Sequence, residues 1–268
     1  MASTHSLPLA PRQAFGTMRR DVWWAPQLLT FVVFSIFLVY APWAAFQNAH
    51  YTFGNYLSPF YSPELWGSSP HALFGPKPTW FPDFIPFTPA LFVMWAPAGF
   101  RFTCYYYRGA YYKAFWADPP GCAVSEPRKS YLGERSFPLI IQNIHRYFLY
   151  LALCFLPFLG YDAYHGLWVF DEQTGKEELG LAIGSLFMIA NFCFLSRYTF
   201  SCHSLRHLIG GSRDEPSKNA LSMKCYNCVS NLNGRHMNWA WFSLFTVILT
   251  DLYIRLCSMG VIVDYRIL

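Results

Sequence analysis

The sequence predicts an all-α integral membrane protein, a polytopic bundle of five transmembrane helices with its N-terminus in the cytoplasm. Three observations predict it. Of the 268 residues, 54% are hydrophobic and only 13% are charged, about half the roughly 25% charged share of an ordinary soluble domain. Aromatic residues reach 20%, which suits a chain with belts of Trp and Tyr at both membrane interfaces. The apolar residues also gather into five runs, each near the ~20 residues that a helix needs to cross the hydrocarbon core.

The whole chain, 1–268, reads as one membrane-anchor domain. Residues 1–26 form a tail in which Arg12, Arg19 and Arg20 follow no cleavable apolar core, so no secretory signal is expected. The spans are expected at about 27–47, 87–107, 139–160, 179–200 and 237–260. Pro42 lies near the end of the first, and Pro86, Pro89 and Pro97 lie in or near the second; proline is tolerated in membrane helices where neighbours re-satisfy the backbone. The Pro-, Ser- and aromatic-rich segment 48–83 is too long for a tight turn and is expected to pack over the outer face. Segment 109–137, with Pro119, Pro120 and Gly121, is expected to be irregular rather than helical throughout. No internal repeat is evident.

Orientation follows from Lys and Arg. Sixteen of the 20 fall in the tail, in 101–146 and in 197–235, against Lys77, Lys176, Arg255 and Arg266 on the other side. The positive-inside rule places the tail and both basic loops in the cytoplasm. The acidic loop with Asp171, Glu172, Glu177 and Glu178, and the C-terminus, then lie outside. Because the basic residues are confined to these loops, the net charge of +5 is not a nucleic-acid surface.

This arrangement gathers sulfur and imidazole groups near the cytoplasmic face. Cys104 ends the second span, His145 opens the third, Cys202, His203 and His207 follow the fourth, and His236 opens the fifth. Four helices thus deliver Cys or His to one depth, as a metal or redox centre between helices requires. Bland readings stand beside this one. Cys154 and Cys193 read as small apolar residues, and a single His at a helix end is commonly a cap. His203 and His207 are four apart and share a helix face, with Cys202 beside them. Cys225 and Cys228 have a metal-ligand spacing but no second pair, which reads as structural or incidental. Arg101 sits where it can snorkel to the surface. Asp251 and Arg255, four apart, can pair as a helix-end pair or on a proton path. The clusters Tyr105-Tyr106-Tyr107, Tyr111-Tyr112 and Trp239-Trp241 read as interfacial anchors, or as the mouth of a pocket for a flat quinone ring.

Five motifs carry a resemblance: Cys104-Tyr-Tyr-Tyr-Arg-Gly-Ala-Tyr-Tyr-Lys-Ala-Phe-Trp116, Pro119-Pro-Gly-Cys-Ala-Val124, Gln142-Asn-Ile-His-Arg-Tyr-Phe148, Ser201-Cys-His-Ser-Leu-Arg-His207 and Leu232-Asn-Gly-Arg-His-Met237. Through these the chain, from Asp21-Val-Trp-Trp24 to the last span, resembles the single-chain membrane anchor of the actinobacterial, type F succinate dehydrogenase. The resemblance implies a multi-pass subunit of a bacterial plasma membrane, without turnover of its own, that holds a flavoprotein and an iron–sulfur subunit on the cytoplasmic face. Electrons from succinate would reach menaquinone or ubiquinone through a Rieske-like [2Fe–2S] centre in the anchor. Such a centre takes two thiolates on one iron and two imidazoles on the other.

The expected thiolates are Cys104 and Cys202, with Cys122 in reserve. The expected imidazoles are His203 and His207, with His145 and His236 as substitutes. Arg101, Tyr105, Arg206 and the remaining His are candidates for quinone or interface contacts. Three other readings stay open: an anchor with heme b between His145 and His203 or His207, a metal-free structural anchor, and a transporter. The last would need inverted repeats and broken helices near the midplane, and neither is evident. Oligomeric state and the direction of flux are not fixed by the sequence.

Overall fold

The computed structural model describes residues 13–129, 136–137, 139–171, 176–211, 215 and 218–268; Arg12 and Glu172 lie outside these. Four helices among the described residues are long and apolar enough to cross a membrane. They are α1 (Ala25–Phe46), α5 (His145–His165, continuing a 3-10 turn at Leu139–Ile144), α6 (Ile183–Phe200) and α9 (His236–Ser258). The helix of the fourth expected span, α6, begins later than expected, because Lys176–Leu179 instead pairs as a strand with Trp168–Asp171 in an antiparallel hairpin.

The expected second span is not one helix. It is a row of short ones: α2 (Ala90–Val93), α3 (Trp95–Phe102) and α4 (Tyr105–Tyr111), followed by a π turn over Tyr112–Trp116. Pro97 explains the first break. It offers no N–H to Val93, and its ring crowds that carbonyl, and the helix is interrupted at Met94. The second break is at Thr103-Cys104, where Cys104 leaves the helix with ψ 134° and caps α4. Two further helices, α7 (His203–Gly210) and α8 (Ala220–Asn233), pack on each other beside this end of the bundle.

The long helices are apolar nearly all round, with their exposed faces rich in Leu, Val, Ile and Phe, as befits lipid contact. Packing is closest where side chains are small. Ala41, Ala44 and Ala45 of α1 let Tyr51, Leu57 and Tyr61 of segment 48–83 settle against them, so this segment covers the far end of the bundle. A two-residue hairpin there (Thr52–Phe53 with Tyr56–Leu57) brings Tyr56 over Gly184.

Gly184 gives the first testable consequence. A Cβ at this position would meet the Tyr56 ring at 2.5 Å. The ring cannot swing away, because the Tyr56 hydroxyl donates to Asp264 at 2.7 Å and lies 3.3 Å from Ser185 Oγ. Gly184→Ala is therefore expected to destabilise by about 1–3 kcal/mol, the usual cost of overpacking. Gly109→Ala, where nothing lies within 4 Å, is expected to be neutral or slightly stabilising. Thermal inactivation of detergent-purified protein checks both.

Candidate metal centre

The C-terminal ends of α3 and α6 and the N-terminal ends of α5 and α9 meet at one end of the bundle. Each of the four contributes a residue from its junction. Cys104 follows α3 and Cys202 follows α6; both are 1% exposed. His145 and His236 are the first residues of α5 and α9. His145 Nε2 lies 3.2 Å from Cys202 Sγ, and His236 Nε2 lies 3.3 Å from Cys104 Sγ.

The local backbone that presents the cysteines is the same twice. Thr103 and Ser201 end their helices near φ −86° ψ −4° and φ −82° ψ 0°. Cys104 and Cys202 then turn out at φ −60° ψ 134° and φ −62° ψ 134° and cap α4 and α7. The sequence behind this is a short repeat, [Phe/Tyr]-x-Phe-[Thr/Ser]-Cys-x-x-x-Arg, at Phe100–Arg108 and Tyr198–Arg206. The expectation of no internal repeat is thus corrected at this scale. Both copies follow helices running to the same end of the bundle, so the repeat is parallel and not the inverted kind associated with alternating access.

Each hydroxyl of the repeat holds one imidazole. Thr103 Oγ1 donates to Gly99 O at 2.7 Å and lies 2.7 Å from His145 Nδ1. Ser201 Oγ donates to Tyr198 O at 3.0 Å and lies 2.6 Å from His236 Nδ1. The first aromatic of each copy stacks on the same ring. Phe100 lies 4.8 Å from His145 and Tyr198 lies 5.2 Å from His236, centroid to centroid, both nearly parallel. Close approach of α5 needs Gly99, since a Cβ there would collide with the Phe148 ring.

Arg101 joins this cluster to the bundle. Its guanidinium donates to the Tyr107 hydroxyl at 2.8 Å and to Ser243 Oγ at 3.0 Å, and it lies 4.9 Å from the Tyr198 ring centre. On its other side it lines an apolar groove of about 350 Å³ with Phe34, Leu38, Tyr107, Tyr111 and Trp116.

The remaining expected residues lie elsewhere. His203 and His207 are not brought to the thiols. They are exposed and face each other, Nε2 to Nε2 at 3.0 Å, in a surface pocket with Arg206 and Tyr226. Burial, and then the neighbouring His207 and Arg206, hold the His203 imidazole below its ordinary value. Arg206 donates to the Tyr226 hydroxyl at 2.8 Å and so ties α7 to α8. Tyr105 is exposed under the Arg108 guanidinium. Cys122, Cys225 and Cys228 are exposed, away from the buried pair. Thr103, Ser201, Phe100, Tyr198 and Tyr107 were not singled out from sequence as a set around the centre; the repeated motif is the signal that finds most of them.

The donor set fits a dinuclear iron–sulfur centre. Among the described residues, no three acidic, His or Cys groups gather as a single-ion site would need. What the site offers is two thiol–imidazole pairs, Cys104 with His236 and Cys202 with His145, the residue types of a centre with two protein ligands per iron. The buried Tyr198 hydroxyl lies among Cys104, Tyr107 and Arg101 and turns to the Cys104 sulfur, where a thiolate would be a strong acceptor. Burial pushes the Cys202 thiol up to about 11. Binding of a metal there would release the thiol proton.

Comparison with known proteins gives the family. The family description "Actinobacterial succinate dehydrogenase subunit SdhC" matches residues 25–260. The chain belongs to this family. It is a multi-pass membrane subunit of a succinate dehydrogenase. Among solved structures, the SdhC-family chain is similar to one in the Mycobacterium smegmatis Sdh1 complex in its apo form. The identity is 39%, the TM-score is 0.84, and the match covers 99% of this chain and 98% of the other. No curated protein matches.

Proposed function

We propose that this SdhC-family chain is the electron-transferring anchor of a succinate:quinone oxidoreductase of the bacterial plasma membrane. It would dock the flavoprotein and iron–sulfur subunits on its cytoplasmic face and hold a Rieske-like [2Fe–2S] centre with Cys104, Cys202, His145 and His236. The observation that carries the reading is the closed set of two buried thiols and two imidazoles, each imidazole turned by its own hydroxyl so that Nε2 faces a sulfur. This reading puts His145 and His236 in the places first expected of His203 and His207, which lie together in a surface pocket with Arg206 and Tyr226.

When bound, such a centre supplies a one-electron relay between the soluble subunits and the membrane. The chain's own residues do the rest. Phe100 and Tyr198 stack on the imidazoles and keep water from them. Arg101 and Tyr107 reach from the site to the groove beside α1, where the apolar walls suit a quinone ring and the guanidinium suits a quinone carbonyl. Because Arg101 lies over Tyr198, and Tyr198 over His236, groove and ligand set are in continuous contact. Menaquinone and ubiquinone both fit this chemistry. Basic side chains near this end, among them Arg19, Arg108, Arg146, Arg206 and Arg235, favour its cytoplasmic placement.

The test is to purify the complex from membranes, reduce it with dithionite and record low-temperature EPR beside a visible spectrum. A Rieske-like signal of low average g without heme bands is expected. Soret and alpha bands without that signal would make His145 and His236 heme ligands instead. Neither feature would leave a metal-free anchor.

A further inference from the structure

We propose that Thr103 and Ser201 are paired positioning residues, each fixing the tautomer and donor strength of one ligand imidazole, so that the site is built from two equivalent halves. The proposal rests on the [2Fe–2S] reading above and goes beyond it to residues that touch no metal.

A hydroxyl has one proton to donate. Thr103 gives its proton to Gly99 O, and Ser201 gives its proton to Tyr198 O. Each can then only accept from the imidazole beside it, at 2.7 and 2.6 Å. The proton of each ring is therefore on Nδ1, and the bare lone pair is on Nε2, the atom that meets a sulfur 3.2 or 3.3 Å away. In water the two tautomers of histidine interconvert freely; here one is selected before any metal arrives.

The two halves are also crossed. Thr103 is bonded in the chain to Cys104, but the imidazole it holds faces Cys202. Ser201 precedes Cys202, and its imidazole faces Cys104. Cys104, Thr103, His145, Cys202, Ser201 and His236 thus form a closed ring of covalent and hydrogen-bonded links, and displacing any one of them disturbs both halves. An acceptor on Nδ1–H also makes the imidazole a stronger electron donor, which favours the oxidised state of whatever Nε2 binds. Thr and Ser differ by a methyl group, so each half contains the conservative substitution for the other.

The experiment uses the whole complex purified with Thr103→Val, Ser201→Ala, Thr103→Ser or Ser201→Thr. Iron and acid-labile sulfide are counted, and the midpoint potential is measured by EPR-monitored redox titration. Thr103→Val and Ser201→Ala are expected to move the reduction equilibrium about tenfold toward the reduced form, a rise of about 59 mV for one electron. Thr103→Ser and Ser201→Thr are expected to keep the parent potential. Loss of the centre in Thr103→Val that Thr103→Ser restores also supports the proposal. An unchanged potential in Thr103→Val and Ser201→Ala at full iron content overturns it and leaves the proposed function standing. So does a Thr103→Ser variant as impaired as Thr103→Val, which would make bulk the cause. A parent complex without the centre overturns both.

Discussion

Replacing Cys104 or Cys202 by serine is expected to abolish the Rieske-like EPR signal and to lower succinate:quinone reductase activity at least about a hundredfold. Loss of a neighbour that merely supports a metal ligand costs about 10–100-fold in affinity or activity, so loss of a ligand belongs at or beyond the top of that range. Serine nearly preserves shape, but its hydroxyl does not ionise at neutral pH, and its oxygen is a harder ligand than the thiolate that iron–sulfur centres require. Both cysteines are almost wholly buried, so no other group can move in from solvent. Succinate oxidation with an artificial acceptor that takes electrons from the soluble subunits should persist in both variants, which separates loss of the relay from loss of assembly.

The controls sharpen this expectation. Serine at Cys122, Cys225 or Cys228, all exposed, should leave the signal intact, as should alanine at His203 or His207. If His203→Ala removed the signal and His145→Ala kept it, the ligand set proposed here would be wrong. Heme between His145 and His236 would also be exposed by this series, because cysteine substitutions would then leave the visible spectrum unchanged.

Much of the fold was legible because membrane spans obey composition. The runs that became α1, α5, α6 and α9 are continuous and apolar, and no soluble alternative accommodates them. The element from Phe87 to Tyr107 was harder, since its hydropathy reads as one span while Pro97 and the turn at Cys104 divide it. The same difficulty affected the site. Spacing gave the depth of the Cys and His residues, but ligation depends on which way a helix end points. His203 and His207 share a face of α7, and both are exposed. His145 and His236 are helix-opening residues whose direction is set by hydroxyls on other helices, far away in sequence. The repeat around Thr103-Cys104 and Ser201-Cys202 was present in the sequence throughout, but at nine residues it is shorter than the repeats that signal domain duplication.

At the opposite end of the bundle, Asp251→Ala is expected to destabilise the subunit by about 3–5 kcal/mol, the cost of leaving one partner of a buried ion pair unmatched. Asp251 is 0% exposed and Arg255 2%, with Arg255 Nε 2.7 Å from Asp251 Oδ2. The pair expected one helical turn apart is therefore no surface contact. Asp251 also accepts from the Tyr40 hydroxyl at 2.7 Å and from Ser58. Arg255 donates to Ala44 O at 2.7 Å and to Ala49 O at 2.8 Å. Those carbonyls belong to the end and exit of α1, whose last turn has no following N–H groups to satisfy it. Arg255 is thus the C-terminal cap of α1, supplied by α9, and Asp251 holds it in position while anchoring segment 48–83 through Ser58. Arg255→Met alone should cost as much, because it strands the carboxylate and removes a donor from each carbonyl, although Ala44 O keeps the Tyr61 hydroxyl at 2.8 Å. Asp251→Leu with Arg255→Met should cost less than the two singles together, since a buried pair replaced as a unit loses little net energy, yet more than nothing, because Ala44 O and Ala49 O each lose the guanidinium donor. The half-life of the purified complex at elevated temperature, compared across this cycle, checks it. Full additivity would mean that the two side chains act independently, and a double variant as stable as the parent would mean that the capping of α1 contributes nothing.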